Sequence, residues 1–269
     1  MTRRAAVLGS PISHSLSPLI HNHAYFLLEY PATYEAIEVK SGKLEEFLAR
    51  ELLSHDLLGF SLTMPLKEEL IQISSPALQI DLRSREINSA NTIYRDVEGW
   101  KVTSTDVEGF QFLFRDISFS SVSILGAGGT SRAAIAALAE SNVNIEIYRR
   151  SANRDASIIA AALGSNMKIK DWDRCAEAWK SDLVINTIPA DQVSSLIKGY
   201  TAPKLFLDAT YSPWPPGLTK LQLEAKGSLI SGFELLAAQA VYQIALMTKV
   251  EFDKNWLFSE LIGKLDSLK

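Results

Sequence analysis

The sequence is poor in the residues that mark disulfides, metal sites and membrane spans. Its 269 residues include one cysteine, Cys175, so neither an internal disulfide nor a multi-thiolate site can form, and we expect this thiol to be inert. The four histidines lack metal-ligand spacing, so no metal is expected. No apolar run approaches the roughly 20 residues that cross a bilayer, and we expect no membrane association.

Basic residues are also too few to suggest a nucleic-acid partner. Lys and Arg number 27 against 31 Asp and Glu, a net charge of −4, whereas binding to phosphate backbones needs a concentrated basic surface. The segment Met1-Thr2-Arg3-Arg4 leads directly into a short strand, unlike a signal peptide. With 47% hydrophobic residues, the composition predicts a soluble, cytoplasmic protein of one large or two ordinary domains.

A glycine-rich turn is the feature around which the chain is arranged. Residues 122–125 predict a buried strand, Gly126-Ala127-Gly128-Gly129 ends it, and an alanine-rich helical segment follows. In dinucleotide-binding turns the glycines permit a tight bend and a close approach to pyrophosphate, which the helix N-terminus attracts. Ser131 stands where the third glycine of the fingerprint falls, so a plain strand-to-helix turn is the alternative.

A loop dense in hydroxyl groups follows the first strand, residues 5–9. Ser17 and Pro18 predict the N-cap and the first residue of a helix that runs to Leu28. The hydroxyls of Ser15 and Ser17 serve either only as caps and turn formers or as ligands for a polyol or carboxylate.

Two further positions place polar side chains where α/β folds bind ligands. Residues 59–69 read as a strand, a proline and a helix start, which leaves Thr63 and Lys67 at the carboxyl end of a strand. Lys67 opposes the helix macrodipole, which indicates either a functional position or a lysine directed to solvent. A predicted hairpin that begins at Asn91 leads to Asp106, either a helix N-cap or a catalytic carboxylate.

Strands and helices continue to alternate through the second half. The pattern predicts strands at 143–148, 183–186 and 205–208, a helix at 155–163 and a long apolar helix at 233–247, followed by a last amphipathic helix. Such alternation indicates a parallel sheet covered by helices.

Seven short motifs, taken in their order, resemble the shikimate dehydrogenase family over nearly the whole chain. Each motif alone is weak evidence for the family, and the seven in this order make a specific signal. The motifs are Ser15-Leu16-Ser17-Pro18, Leu62-Thr63-Met64-Pro65-Leu66-Lys67, Ala90-Asn91-Thr92, Ser104-Thr105-Asp106, Gly126-Ala127-Gly128-Gly129, Tyr211-Ser212-Pro213 and Gly232 through Gln239.

The resemblance implies a two-domain α/β enzyme that interconverts 3-dehydroshikimate and shikimate with NADP(H), a step of aromatic amino acid biosynthesis. It implies a substrate-binding domain at 1–106, completed by 237–269, and a Rossmann-type domain at 107–236, with the site in the cleft between them. The expected partner is a small molecule, with no nucleic acid and no membrane, and the expected state is a monomer or homodimer.

The resemblance also implies the site residues. Lys67 and Asp106 would be the catalytic pair, which makes chemical sense because a reduced ketone needs a proton donor within ~3 Å of its oxygen. The substrate would meet Ser15, Ser17 and Tyr211 at its carboxylate and Thr63, Asn91 and Gln239 at its hydroxyls. The implied cofactor-binding residues are Gly126, Ala127, Gly128, Gly129, Thr130, Arg149, Arg150, Ser151, Thr187, Ile188 and Gly232.

Three departures from the family pattern leave the substrate choice open. Ser61-Leu62-Thr63 stands for Asn-Val-Thr, Ser104-Thr105-Asp106 for Asn-Thr-Asp, and Pro216-Gly217 for Thr-Pro. The alternatives are a quinate/shikimate dehydrogenase of broader specificity and a catalytically silent member that binds dinucleotide or polyol. Retention of both Lys67 and Asp106 favours an enzyme, since a binding protein has no need of the pair.

The residues after the second strand of the dinucleotide fold predict the cofactor. An arginine there accommodates the 2′-phosphate of NADP, whereas an acid would take the ribose of NAD. Arg150 matches the family's phosphate-binding arginine and Arg149 is an added charge, while Glu146 lies too early, inside the strand. We therefore expect NADP(H), the alternative being two arginines that only solvate a loop.

Overall fold

The computed structural model describes residues Thr2–Leu268, which divide into two compact units. The first unit consists of the residues up to Gly109 together with Leu236–Leu268, and the second of Phe110–Leu235. Each unit is built on its own six-stranded sheet. Among the described residues, no helix has both the length and the apolar character needed to cross a membrane.

The first unit contains a mixed sheet. Its elements are β1 (Arg3–Gly9), α1 (Ser17–Leu27), β2 (Ala32–Glu38), α2 (Leu44–Glu51), β3 (Leu57–Leu62), α3 (Leu66–Gln72), β4 (Leu78–Ile80), α4 (Leu82–Glu86), β5 (Thr92–Asp96) and β6 (Gly99–Thr103), with α11 (Lys254–Asp266) near the C-terminus. The strand order is β2-β1-β3-β5-β6-β4, and β5 runs antiparallel to both β3 and β6. The predicted hairpin is thus confirmed.

The second unit contains a parallel sheet. Its elements are β7 (Ser121–Leu125), α6 (Gly129–Leu138), β8 (Asn144–Arg149), α7 (Asp155–Ala162), β9 (Met167–Asp171), β10 (Leu183–Asn186), α8 (Ser194–Ile197), β11 (Leu205–Asp208), α9 (Gly217–Glu224) and β12 (Ser228–Ile230). Two helices, α5 (Thr105–Phe114) and α10 (Gly232–Thr248), contain the unit boundaries.

The strand order of the second unit is that of a dinucleotide-binding fold. Neighbouring strands follow the order β12-β11-β10-β7-β8-β9 and all pair in parallel. Numbered from β7 as the first strand, this is the 3-2-1-4-5-6 arrangement, in which the order reverses beside the first strand. The glycine-rich turn directly follows β7 at that point. The predicted α/β class with a Rossmann-type sheet is confirmed.

Each unit has its own apolar core. In the first unit Leu8, Phe60 and Leu66 are buried in a cluster between the sheet and its helices. In the second, Tyr148 and Phe206 belong to a comparable cluster. Strands covered on both faces need continuous apolar sequence, which explains why all six residues of β3 are buried.

Two predicted helix caps are wrong. Helix α1 begins at Ser17 itself, and the N-cap position belongs to Leu16, without a side-chain cap. Ser15 Oγ instead accepts a hydrogen bond from Ser17 N at 3.3 Å. Asp106 lies inside α5, which begins at Thr105. Because neither Ser17 nor Asp106 occupies the cap position, their side chains remain available for other roles.

The polar sequence around Cys175 predicts a helix, but this residue lies instead in a 3-10 segment, Trp172–Lys180. It is half-buried against the core cluster of the second unit. Burial raises the pKa of the Cys175 thiol, which disfavours the reactive thiolate.

Candidate active site

The first unit places a lysine and an aspartate in direct contact. Lys67 lies in the first turn of α3, where Ala90 N donates to its carbonyl oxygen at 3.0 Å and so ties the turn to the segment before β5. The Lys67 Nζ atom is 2.6 Å from Asp106 Oδ2. The lysine side chain is 18% exposed and the aspartate side chain 7%. The pair is therefore largely shielded, but Lys67 retains access to a ligand.

Asn91 connects this pair to the rest of the site. Its Nδ2 donates to Asp106 Oδ1 at 2.9 Å and lies 3.3 Å from Gln239 Oε1. Its Oδ1 accepts from Thr105 N at 2.7 Å, which fixes the orientation of the amide. Asp106 therefore has a donor on each carboxylate oxygen, and its position relative to Lys67 is determined from two sides.

Among the contacts of the described residues, Lys67 Nζ donates only to Asp106 and keeps donor capacity for a ligand. An ammonium group carries three N–H donors, and the contact with Asp106 occupies one of them. A partly exposed ammonium beside a fixed carboxylate can donate a proton to a bound oxygen while the carboxylate stabilises its charge. This arrangement is suited to general acid–base chemistry at a carbonyl or hydroxyl group.

Four of the predicted site residues, Lys67, Asp106, Asn91 and Gln239, form one hydrogen-bonded group. Thr63, half-buried, follows the end of β3, and its backbone N donates to Leu8 O at 2.9 Å. Ser17 is buried in the first turn of α1, with Ser15 just before it. Tyr211 belongs to the second unit, where its ring lies 5.9 Å from that of Phe233.

Sequence reasoning missed several residues of this group. Thr92 Oγ1 lies 3.0 Å from Thr105 Oγ1, and Gln243 Nε2 lies 3.1 Å from Thr92 Oγ1. A usable signal was present, because Gln243 follows Gln239 by four residues and so lies on the same face of the apolar helix α10. The position of His21 on the first helix predicts a packing or surface residue. It is completely buried, and its Nδ1 is bonded to Ser17 O.

The glycine-rich turn of the second unit has the geometry of an anion site. Gly126 has φ +113°, and a Cβ there would lie less than 3.0 Å from Thr187 Oγ1, so this position requires glycine. Gly128 is the N-cap of the ten-residue helix α6, and none of the described atoms comes within 4 Å of the place its Cβ would occupy. The residues present therefore fit a pyrophosphate, which needs open backbone at a helix N-terminus.

Two side chains brace this turn. Ser131, in place of the third glycine, bonds to Thr187 Oγ1 at 2.6 Å, and Thr187 in turn donates to Leu125 O at 2.9 Å. Arg132 is completely buried, and its Nη1 donates to Ala127 O at 2.8 Å. Sequence reasoning missed Arg132, since an arginine on a helix is usually exposed.

The two arginines after β8 have different surroundings. Arg149 forms a bidentate contact with Asp155, at 2.9 and 3.1 Å, and a second ion pair with Asp171. Arg150 donates to the side chain of Gln192 at 2.9 Å and lies 5.1 Å from the centre of the Trp172 ring. Arg149 is thus neutralised by two carboxylates, whereas among the described contacts Arg150 meets only uncharged groups.

The other predicted cofactor-binding residues lie at turns of the second unit. Thr130 is in the first turn of α6, and Ser151 Oγ accepts from Asn153 N at 3.3 Å as the cap of a 3-10 turn. Ile188 is buried after β10. A Cβ at Gly232 would lie less than 3.0 Å from Thr210 O, so the close backbone approach requires glycine.

Known proteins are similar to this chain in both sequence and fold. The family model described as "Shikimate dehydrogenase substrate binding domain" matches residues 7–93. A shikimate dehydrogenase (NADP(+)) of Hyphomonas neptunium is 31% identical over 246 residues, which are 89% of this chain and 89% of that protein.

Two solved structures are also similar to this chain. The shikimate dehydrogenase of Mycobacterium tuberculosis superposes with a TM-score of 0.85 at 30% identity and covers 97% of this chain and 99% of its own. A shikimate 5-dehydrogenase from Mycobacterium fortuitum superposes with a TM-score of 0.79 at 33% identity. The superposition covers 97% of this chain and 98% of that structure. The resemblance read from the seven motifs is confirmed, and the chain belongs to the shikimate dehydrogenase family.

Proposed function

We propose that this chain reduces 3-dehydroshikimate to shikimate with NADPH, reversibly, as an oxidoreductase of the shikimate pathway. The observation that carries the proposal is the contact between Lys67 Nζ and Asp106 Oδ2 at 2.6 Å, held in place by Asn91. Family membership supplies the substrate class, and the dinucleotide-binding sheet and its glycine-rich turn support the cofactor.

Lys67 is the proposed proton donor. NADPH supplies the hydride when it is bound, and the carbonyl oxygen then develops negative charge. Lys67 Nζ stabilises this charge and transfers a proton to the oxygen, a step that typically contributes on the order of 10² to 10⁴ in rate. Asp106 orients the ammonium group and stabilises its positive charge until the proton is transferred, which leaves a neutral amine, and in the oxidation direction that amine receives the hydroxyl proton.

Asn91, Gln239 and Thr63 are proposed to hold the substrate hydroxyls. The hydrogen bond of Asn91 to Asp106 fixes the Asn91 amide before any ligand arrives, so the side chain loses little rotational freedom on binding. Ser15 and Ser17 are proposed to hold the substrate carboxylate, which the absence of a capping role for Ser17 supports. The predicted role of Tyr211 at the same carboxylate stays a prediction.

Arg150 is the proposed ligand of the 2′-phosphate of NADP. Its described neighbours Gln192 and Trp172 are uncharged, so its positive charge is available to an anion. Arg149 is a weaker candidate because Asp155 and Asp171 already pair with it. Gly128 and Thr130 lie at the N-terminus of α6, and we propose that their backbone amides face the pyrophosphate.

An absorbance assay at the nicotinamide band tests the proposed function. Shikimate and quinate are each offered with NADP and with NAD, and we expect turnover with shikimate and NADP to exceed that of the other three combinations. Comparable turnover with quinate would instead identify an enzyme of broader specificity. Turnover in none of the combinations would contradict the proposed enzymatic activity and would favour a protein that only binds dinucleotide or polyol.

A further inference from the structure

Six buried side-chain polar atoms of the first unit have no hydrogen-bond partner among residues 2–268. Two of them, Nε2 of His21 and Oε1 of Gln243, belong to side chains that lie beside each other. The two residues are 0% and 1% exposed. Buried polar atoms without a partner are rare in folded proteins, because each has lost its bonds to water. Two such atoms in neighbouring side chains call for a common explanation.

The state of the His21 ring follows from its contacts. Nδ1 lies 2.9 Å from Ser17 O, and since a carbonyl oxygen can only accept, Nδ1 carries a proton. The ring stacks on Tyr34 with 3.9 Å between centroids. Burial lowers the pKa of His21 to about 4, so the ring is neutral at pH 7. Its Nε2 is therefore an acceptor that needs a donor.

Gln243 can supply that donor if its amide is turned. As placed, Nε2 lies 3.1 Å from Thr92 Oγ1 and 3.4 Å from Asn91 O, while Oε1 has no partner. The Gln243 side chain also lies beside the His21 ring, close enough to affect its pKa. Amide nitrogen and oxygen have nearly the same shape, so either can occupy either position.

Turning the amide gives both unpaired atoms a partner at once. Gln243 Nε2 then donates to His21 Nε2, and Oε1 accepts from the Thr92 hydroxyl. The long contact with Asn91 O is lost, but that oxygen still accepts from Leu62 N at 2.8 Å. The Thr92 hydroxyl also gives up its donation to Asn91 Oδ1, which still accepts from the Thr105 hydroxyl at 3.0 Å. The side chain of Asn91 keeps Thr105 N as a donor to Oδ1 at 2.7 Å. The rearranged network leaves none of these groups unsatisfied.

We infer that His21 and Gln243 are positioning residues, which link the carbonyl of Ser17 to the hydroxyl of Thr92 and so fix the two ends of the substrate site relative to each other. Ser17 lies at the end proposed for the substrate carboxylate, and Thr92 adjoins Asn91 at the catalytic end. The inference rests on the proposed function, because the roles of Ser17 and Asn91 come from it.

Kinetics of a double-mutant cycle test the inference. Gln243→Met and His21→Phe keep the volume and remove the hydrogen bonds, and Met247→Leu is the control for packing on the same buried helix. Each single variant should lower kcat/KM for shikimate by roughly 10- to 100-fold, since misplacement by 1 Å can cost on the order of 10²-fold. The Michaelis constant for NADP and the kinetics of Met247→Leu should not change.

The two losses should also fail to multiply, because each variant breaks the same chain of hydrogen bonds. Native kinetics in either single variant, or a double variant whose loss is the product of the two, would overturn the inference. A lower melting temperature with unchanged kcat/KM would show a structural role only and would equally overturn it.

A measurement on the native protein covers the case in which the variants do not fold. Long-range ¹H–¹⁵N spectra should show His21 neutral at pH 7 with its proton on Nδ1. A proton on Nε2, or an imidazolium ring, would overturn the network. If the native protein turns over none of the shikimate and quinate combinations, the proposed function fails, and the spectra still decide whether the network exists.

Discussion

Gly9 and Thr63 lie so close together that no side chain fits between them. A Cβ on Gly9 would come within 3.0 Å of the Thr63 methyl group. In Gly9→Ala the threonine must therefore rotate, which moves a hydroxyl proposed to bind the substrate. We expect a higher KM for shikimate and a loss of about 1–3 kcal/mol in the free energy of unfolding. Steady-state kinetics and urea unfolding measure the two effects.

Gly263→Ala is the matched control for this change. Gly263 lies in α11, and among the described residues nothing comes within 4 Å of its Cβ position. We expect it to leave KM unchanged and to stabilise the protein slightly, since alanine favours a helix. Equal kinetics in the two variants would show that the position of Thr63 does not matter.

Lys67→Ala should lower kcat by roughly 10² to 10⁴ because the proton donor is removed. Affinity for NADP should remain, which fluorescence titration measures. Lys43→Ala, at an exposed lysine, is the control for loss of charge. Retained kcat with a raised KM would assign Lys67 to substrate binding alone.

Asp106→Asn should be strongly impaired, and the double variant with Lys67→Ala should lose much less than the product of the single losses. The two side chains are 2.6 Å apart and act as one unit, so removing either one forfeits most of the shared effect. The kcat values of the four proteins form the cycle. Multiplicative losses would show independent roles.

Glu108 should make stability fall as pH rises. Burial, with the nearby charges of Asp81 and Asp106, raises its pKa from 4.5 to about 7. Between these values the folded protein retains a proton that the unfolded chain has released, so the stabilisation is complete below pH 4.5 and is lost as pH rises through 7.

Glu108→Gln should remove this dependence. The expected gain above pH 7 is at most roughly 3 kcal/mol. Urea unfolding from pH 4 to pH 8 measures it, with Glu98→Gln as the control at an exposed carboxylate. A native stability profile that matches that of the variant would refute the raised pKa.

Arg150→Ala should weaken the binding of NADP much more than that of NAD, and the effect should shrink as salt screens the phosphate contact. Arg149→Ala is the informative comparison. It leaves Asp155 and Asp171 without their partner, so we expect lower stability and a similar effect on both cofactors. Dissociation constants at low and high salt test both, and a native enzyme with equal affinity for NAD and NADP would contradict the role of Arg150.

The sequence by itself determined the alternation of strands and helices and the chemistry at the ends of several strands. Alternating apolar patterns located β5 and β6, and the Gly126 turn located the start of the dinucleotide fold, because local patterns record which face of an element is buried. Lys67 and Asp106 were identified in the same way, since each lies just beyond an element with a clear pattern. The resemblance to a family added their pairing.

Other features depended on residues far apart in the sequence. Asn91 and Gln239, which form a hydrogen bond, are 148 residues apart in the sequence, and His21 and Gln243 become neighbours only in the folded first unit. Because these polar side chains are removed from water, each must form hydrogen bonds within the protein, and those bonds position the site. Local sequence patterns do not indicate which distant residue will be the partner. The ion pairs of Arg149 with Asp155 and Asp171 were likewise seen only in the tertiary structure.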